Sequence, residues 1–285
     1  MNNYVIYTDS ASDIGAAELA EWGVKCAHLT FKFDGDDTIY AGDDMDSAAF
    51  YERMRAGGVA KTAAVNMDSF TTLFEAELRE GRDVIYIGFS SAMSTTFQAA
   101  RLAASDLREQ YPDRQIHVVD SLSGSVGQAL LAYLVAEQRR AGVTVAEAAA
   151  FAEGIKGRLG VWLTVDDLVY LKRGGRISPA VAFLGNALGL KPIIYVSGEG
   201  KLETHSKARG RKNAMATLSG RYAEGKGGRF MISHADCADA AEQLAAAIKE
   251  AHSAEVVAIL NIGPVIGAHL GPGGLVLGFL GEDAE

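Results

Sequence analysis

Apolar and polar positions along this chain follow a repeating plan. Tyr4 to Thr8 is a short β-rich apolar run, DSASD follows as a polar turn, and a helical pattern runs from Ile14 to Gly23. Asp13 is its expected N-cap and Gly23 its stop. The unit recurs at Asp83 to Phe89, followed by SSAMS and a helix from about Thr95 to Gln110, and again at Gln115 to Ser121, followed by LSGS and a helix through Arg140. Strands alternating with helices of this length require crossovers, which predicts a mainly parallel sheet flanked by helices. Between the first two units, two short runs around Asp34 to Asp37 predict a hairpin excursion over about 31–46.

An Ala-rich helix from Val145 to about Lys156 runs into Gly157 and Gly160, and the regularity changes beyond it. The expected division is an N-terminal α/β domain over 1–160 and a second α/β domain over 161–285. In the second, Ser178 and Pro179 form a cap and first turn for an almost wholly apolar helix through Leu190. Gly185 and Gly189 lie one turn apart there and let a backbone or an alkyl chain approach closely.

Charge sharpens this division. The 285 residues carry a formal charge of -9, all of it in residues 1–160, which hold 14 Lys+Arg against 23 Asp+Glu; residues 161–285 hold 13 of each. Within the neutral half, residues 172–212 hold nine basic side chains against two acidic ones. The acidic total opposes a dedicated nucleic-acid binder, since a polyanion is held by clustered Lys and Arg. No apolar run approaches the roughly 18 residues of a membrane-spanning helix, and the first residues lack the basic region of a signal peptide. Cys26 and Cys237 lie far apart with no CxxC, which fits reduced thiols and a cytoplasmic setting. Six Asp fall between 34 and 46, but their spacing departs from a calcium loop, and no metal site or cofactor is expected.

Candidate chemistry is concentrated in a few segments. GRYAEGKG from Gly220 to Gly227 lacks the hydroxyl of a phosphate loop and reads as a flexible turn, and no strand is followed by G-x-G-x-x-G. SSAMSTT sits at the carboxyl end of a strand while opening a helix, where free N–H groups and the helix dipole favour an anion, and Ser94 is placed as N-cap or ligand donor. Gly88 to Ala92 is a degenerate nucleophile elbow, which would make Ser90 the nucleophile of a serine hydrolase, with His234 or His269 as base and Asp236 as acid. LKRGGRIS sets three basic residues around a Gly-Gly turn. The Gly-rich loop from Asn261 to Phe279 has His269 as its only titratable side chain.

Taken together, TDSASD, SSAMSTTFQAA, HVVDS, LKRGGRIS, LGLKPII, KARGRKNA and IGPVIGAHLGPGGL resemble the DegV family, the fatty-acid-binding proteins that include the carrier subunit of bacterial fatty acid kinase. The resemblance implies two α/β domains with a long-chain fatty acid between them. It implies that Thr62 and Ser94 hydrogen-bond the carboxylate, that Arg176, Arg209 and His269 contact the head group or the kinase, and that Phe183, Leu184 and Leu188 line the acyl chain. It further implies a carrier that is not catalytic alone, presenting its ligand to a separate kinase whose acyl phosphate passes to an acyltransferase of phospholipid synthesis, with transient contact to a membrane surface. A lipid-sensing protein without a kinase is the alternative within the same resemblance. Two positions depart from the family's pattern: Thr62-Ala63-Ala64-Val65-Asn66 stands where the family commonly has T-S-Q-P-S, and Thr95 where it often has Gly. The chemistry is coherent, because fifteen buried carbons contribute about 12 kcal/mol gross at about 0.8 kcal/mol each, while a carboxylate leaving water needs hydrogen bonds to offset its lost solvation.

Overall fold

The computed structural model describes residues 3–177, 189–225 and 228–282. The first strand, β1 (Tyr4–Asp9), is buried along its whole length, as expected of a strand covered on both faces. After a single 3₁₀ turn and α1 (Ala16–Trp22), the chain adds β2 (Val24–Ala27) parallel to it. A smaller unit follows: β3 (Thr30–Phe33), β4 (Tyr40–Ala41), α2 (Ser47–Arg55) and β5 (Ala60–Ala63), with the three strands antiparallel in the order β4-β3-β5. The expected hairpin is thus present, and β5 extends it into a sheet. The Asp-rich segment is used locally: Asp46 caps α2, Asp36 binds the Thr38 N–H and pairs with Arg53 at 2.9 Å, and Asp34 pairs with Lys61 at 2.7 Å.

Next come α3 (Met67–Arg79), β6 (Asp83–Gly88), α4 (Thr96–Gln110), β7 (Ile116–Asp120), α5 (Val126–Arg140) and α6 (Val145–Ile155). The first sheet is wholly parallel, in the order β2-β1-β6-β7. From β1 the crossover runs one way to β2, and from β6 it runs the other way to β7, so the connections diverge at the carboxyl ends of β1 and β6. Open α/β sheets bind ligands in the crevice at such a switch point. α3 shows how the pattern makes the element: Phe70, Phe74, Glu77 and Leu78 are its buried residues, spaced as one helical face.

β8 (Leu159–Thr164), α7 (Val169–Arg173), β9 (Leu190–Val196), β10 (Leu202–Arg209), α8 (Gly210–Glu224), β11 (Arg229–His234), α9 (Ala238–Ala251), β12 (Glu255–Asn261), α10 (Pro264–Leu270) and β13 (Leu275–Leu280) complete the described chain. Their six strands form a mixed sheet in the order β10-β9-β8-β13-β11-β12, in which only β11 and β12 are parallel. Strand alternation divides its two faces. Val161, Leu163, Met231 and Val276 join the core shared with the first sheet, whereas Phe230, Ile232, Leu275 and Leu277 pack in a second core with residues of α8 and α9. Helix α5 lies between the sheets, touching β1 and β6 on one side and β8, β11 and β13 on the other, which is why nearly all of Val126 to Ala136 is buried.

Several sequence expectations are corrected. Asp13 does not cap α1; Gly15 does, while Asp13 is buried in a left-handed conformation with a φ of 60° and receives hydrogen bonds from Ser125 and the Gly263 N–H. Residues 264–270 form a helix with Pro264 in its first turn, so His269 stands on a helix and not in a loop. Gly220 to Glu224 ends α8 as helix instead of forming a turn. Leu190 opens β9, and the apolar helix expected before it, with Phe183, Leu184, Gly185 and Leu188, lies outside the described residues.

Candidate ligand cavity

A cavity of about 440 Å³ opens at the switch point, walled by both sheets. Leu29 and Phe89 come from the first half, and Val161, Leu163, Val196 and Val276 from the second; Val265, Ile266 and Leu270 come from α10. Thr62, Ser94, Arg176 and His269, four residues separated by as much as 207 positions in sequence, stand together in its wall.

Each of the four is held by its element. Thr62 lies on β5, paired in register with Phe31, and its Oγ1 is 2.9 Å from His269 Nε2. Ser94 lies in the turn between β6 and α4; its Oγ accepts the Thr96 N–H at 3.2 Å and pairs with Thr96 Oγ1 at 2.9 Å. The assigned N-cap is Thr95, one residue later than expected, although the Ser94 oxygen does satisfy the first N–H of the helix. Arg176 follows the Gly-Gly turn after α7 and donates from Nε and Nη2 to the Met93 carbonyl, at 3.2 and 3.1 Å, and from Nη1 to the Gly174 carbonyl. Its guanidinium ties the Ser94 turn to the second half of the chain.

Burial, and then the nearby Arg176 guanidinium, push the His269 imidazole down to about 4. The ring is therefore neutral at pH 7, and its buried Nδ1 has no hydrogen-bond partner among the described residues. It lies against Gly174, where a Cβ would come within 2.1 Å of Nδ1, so the first Gly of the Gly-Gly turn is not interchangeable with Ala. A second cavity, of about 450 Å³, lies on the other side of these residues. Thr62, Arg176 and His269 line both cavities, and the second adds Lys61 and Arg173. One partition thus has an apolar chamber on one side and a cationic one on the other.

The remaining candidates do not join this group. Arg209 ends β10, is exposed, and lines neither cavity. Ser90 is fully buried; its Oγ donates to the Gly200 carbonyl at 2.8 Å and accepts the Ala92 N–H. His234 accepts the Cys237 N–H through Nδ1 at 3.3 Å, and Asp236 pairs with Arg55. Ser90, His234 and Asp236 therefore form no catalytic triad, and His269 serves Thr62 instead. Sequence reading missed Gly124 and Ser125, which also line the apolar cavity. Their signal was the SGSVG stretch opening α5.

A parallel sheet joined by a buried helix to a mixed sheet, with an apolar chamber between them and a hydroxyl-lined end, defines a two-sheet α/β protein with an interior cavity. The chain belongs to the DegV family: the model described as "Uncharacterised protein, DegV family" matches residues 3–282. A DegV domain-containing protein of Clostridium perfringens is 36% identical over 293 residues, covering 100% of both chains. Among solved structures, a fatty-acid-binding DegV family protein from Thermus thermophilus superimposes with a TM-score of 0.87 at 27% identity, covering 98% of this chain and 100% of that one. The Streptococcus pneumoniae fatty acid kinase B3 protein loaded with linoleic acid shares the fold, with a TM-score of 0.86 at 22% identity and coverage of 98% and 100%. Among the described residues no helix is long and apolar enough to cross a membrane, and no three His, Cys, Asp or Glu come together as a metal-holding group.

Proposed function

We propose that this protein binds a long-chain fatty acid in the apolar cavity, with its carboxylate on Thr62 and Ser94 and His269 steadying Thr62. We further propose that it presents that carboxylate to a fatty acid kinase, which forms the acyl phosphate used in phospholipid synthesis. The observation that carries the first part is the gathering of Thr62, Ser94, Arg176 and His269 at one wall of an otherwise apolar chamber. The tail's burial outweighs the several kcal/mol or more of lost freedom on association, and two hydroxyls beside a helix start limit the desolvation of the head. The kinase step is supported by the family's motifs and by the cationic chamber behind the partition, where Arg173 and Arg176 would favour the added phosphate charge. In that step the chain holds and presents; the phosphoryl transfer belongs to the partner. Residues 1–160 and 161–285 are proposed as the two domains that meet at the cavity, in a cytoplasmic protein.

Organic extraction of the purified protein followed by mass spectrometry is expected to recover a long-chain fatty acid. Combining Thr62→Val with Ser94→Ala is expected to weaken palmitate binding on the order of a hundredfold or more, at about 1.5–3 kcal/mol per hydrogen bond to a charged group, while leaving the methyl ester's affinity unchanged. No recovered lipid together with no palmitate uptake would end the reading. Fatty acid binding without acyl phosphate, after addition of the organism's kinase and ATP, would leave a lipid sensor in place of a kinase carrier.

A further inference from the structure

The strand-turn-helix at Ser90 is not the only one that carries a serine among the described residues. β7 ends at Asp120, α5 begins at Val126, and Ser125 occupies the turn between them with a φ of 51° and a ψ of −137°. Positive φ is rare for a residue other than Gly and is retained where surrounding contacts enforce it, often at functional sites. Here the enforcing contact is the Ser125 N–H donating to the Ala11 carbonyl at 2.7 Å.

The flanking residues match what such a turn requires. A nucleophile elbow needs small side chains two residues before and after its Ser, because the strand and helix approach closely there. In Ser123-Gly124-Ser125-Val126-Gly127, a Cβ on Gly127 would come within 2.1 Å of Ser123 Oγ, so no side chain fits at that position. The Val126 N–H, which follows the serine and opens the helix, has no hydrogen-bond acceptor among the described residues. It occupies the position from which an elbow stabilises an oxyanion.

The hydroxyl itself is paired with a carboxylate. Ser125 Oγ donates to Asp13 Oδ2 at 2.5 Å and lies 2.7 Å from Ser233 Oγ. Asp13 also accepts the Gly263 N–H at 2.9 Å. Burial raises the Asp13 carboxyl to about 8, with the neighbouring Asp9 adding to the shift, and the Asp13 charge in turn helps raise the buried Tyr51 hydroxyl. A base of that strength suits proton abstraction near neutral pH. Ser125 lines the apolar cavity, whereas Asp13 lines a separate polar cleft of about 390 Å³, so each has access to its own medium.

We propose that Ser125 is a second functional centre of this protein: a serine nucleophile that accepts acyl groups from long-chain esters or thioesters in the cavity, with Asp13 as its base. Ser125 Oγ bonds to the acyl carbon as its proton passes to Asp13. The C–O or C–S bond then breaks, and the departing alcohol or thiol takes the proton from Asp13. Water attacks the acyl-serine, giving a proton to Asp13, which returns it to Ser125 as the fatty acid leaves. This centre shares with the carrier reading only the acyl chain in the cavity; it involves neither ATP nor a kinase.

The test is reaction of the purified full chain with a hexadecyl fluorophosphonate, followed by proteolysis and mass spectrometric mapping. One adduct is expected, on Ser125, absent in Ser125→Gly and formed at least tenfold more slowly in Asp13→Asn. Gly adopts positive φ without strain, so Ser125→Gly removes the hydroxyl and keeps the turn. No adduct on the wild-type chain, or one on Ser90 or Ser94 that persists in Ser125→Gly, would overturn the assignment. Mapping on the wild-type chain decides the matter even if a variant fails to fold. It is also independent of whether free palmitate binds, so failure of the carrier reading and failure of this one are separable.

Discussion

His269 shows how one side chain couples the site to pH. Its imidazole is lowered to about 4 by burial and Arg176, against 6.5 for the unperturbed ring, so the unfolded chain takes up the proton first as pH falls. The stability associated with the neutral buried ring is present above about pH 6.5 and is lost as pH falls toward 4. His269→Gln cannot titrate. The difference in thermal midpoint between wild type and this variant is therefore expected to shrink between pH 7.5 and pH 4.5; a constant difference would mean that the ring is not held neutral. Thr62, Ser94, Arg176 and His269 were legible in the sequence through the family's motifs, and the structure brings them to one wall. Arg209, carried over in the same way, stands elsewhere. Ser125 was not legible because its distinguishing feature is a backbone angle enforced by Ala11, a residue 114 positions earlier.

At the scale of elements, helices with local signals were read to within a residue or two. Helix α6 is the clearest case, because Thr144 and Glu147 form a reciprocal capping box, satisfying the Glu147 N–H and the Thr144 N–H within four residues of sequence. Thr144→Ala is expected to lower stability by about 1 kcal/mol, read as a shift of the urea midpoint with unchanged slope. Elements defined by distant partners were harder to read. β5 was missed because only four residues pair with β3, and half of them are exposed on the small sheet. α10 was read as loop because its glycines suggest turns; packing against α7 and β5, together with Pro264 at its start, makes seven residues helical in spite of them.

For the whole molecule, the alternation of strands and helices identified the parallel sheet, and the division of charge coincided with the change to a mixed sheet. What no local pattern expressed was that α5 serves both sheets. Trp22 packs edge-on against Tyr133 of α5 with centroids 5.0 Å apart, while Trp162 stacks on Tyr195 in the second sheet at 5.2 Å. Fluorescence of Trp22→Phe and Trp162→Phe variants therefore follows the two sheets separately. Coincident unfolding midpoints are expected, and Leu130→Ala, in the middle of α5, should lower both by the same amount, at a cost of about 2–5 kcal/mol. Separate midpoints would mean that each sheet folds independently. The contact between Thr62 and His269 also has a consequence in time. The 207 positions that separate them take roughly 10–40 s to synthesise at about 5–20 residues per second. For most of that interval a nascent chain possesses both Thr62 and Ser94 but lacks the helix that closes the chamber over them. Capture of a ligand in the closed chamber thus belongs to the finished molecule, after its C-terminal strand has been made.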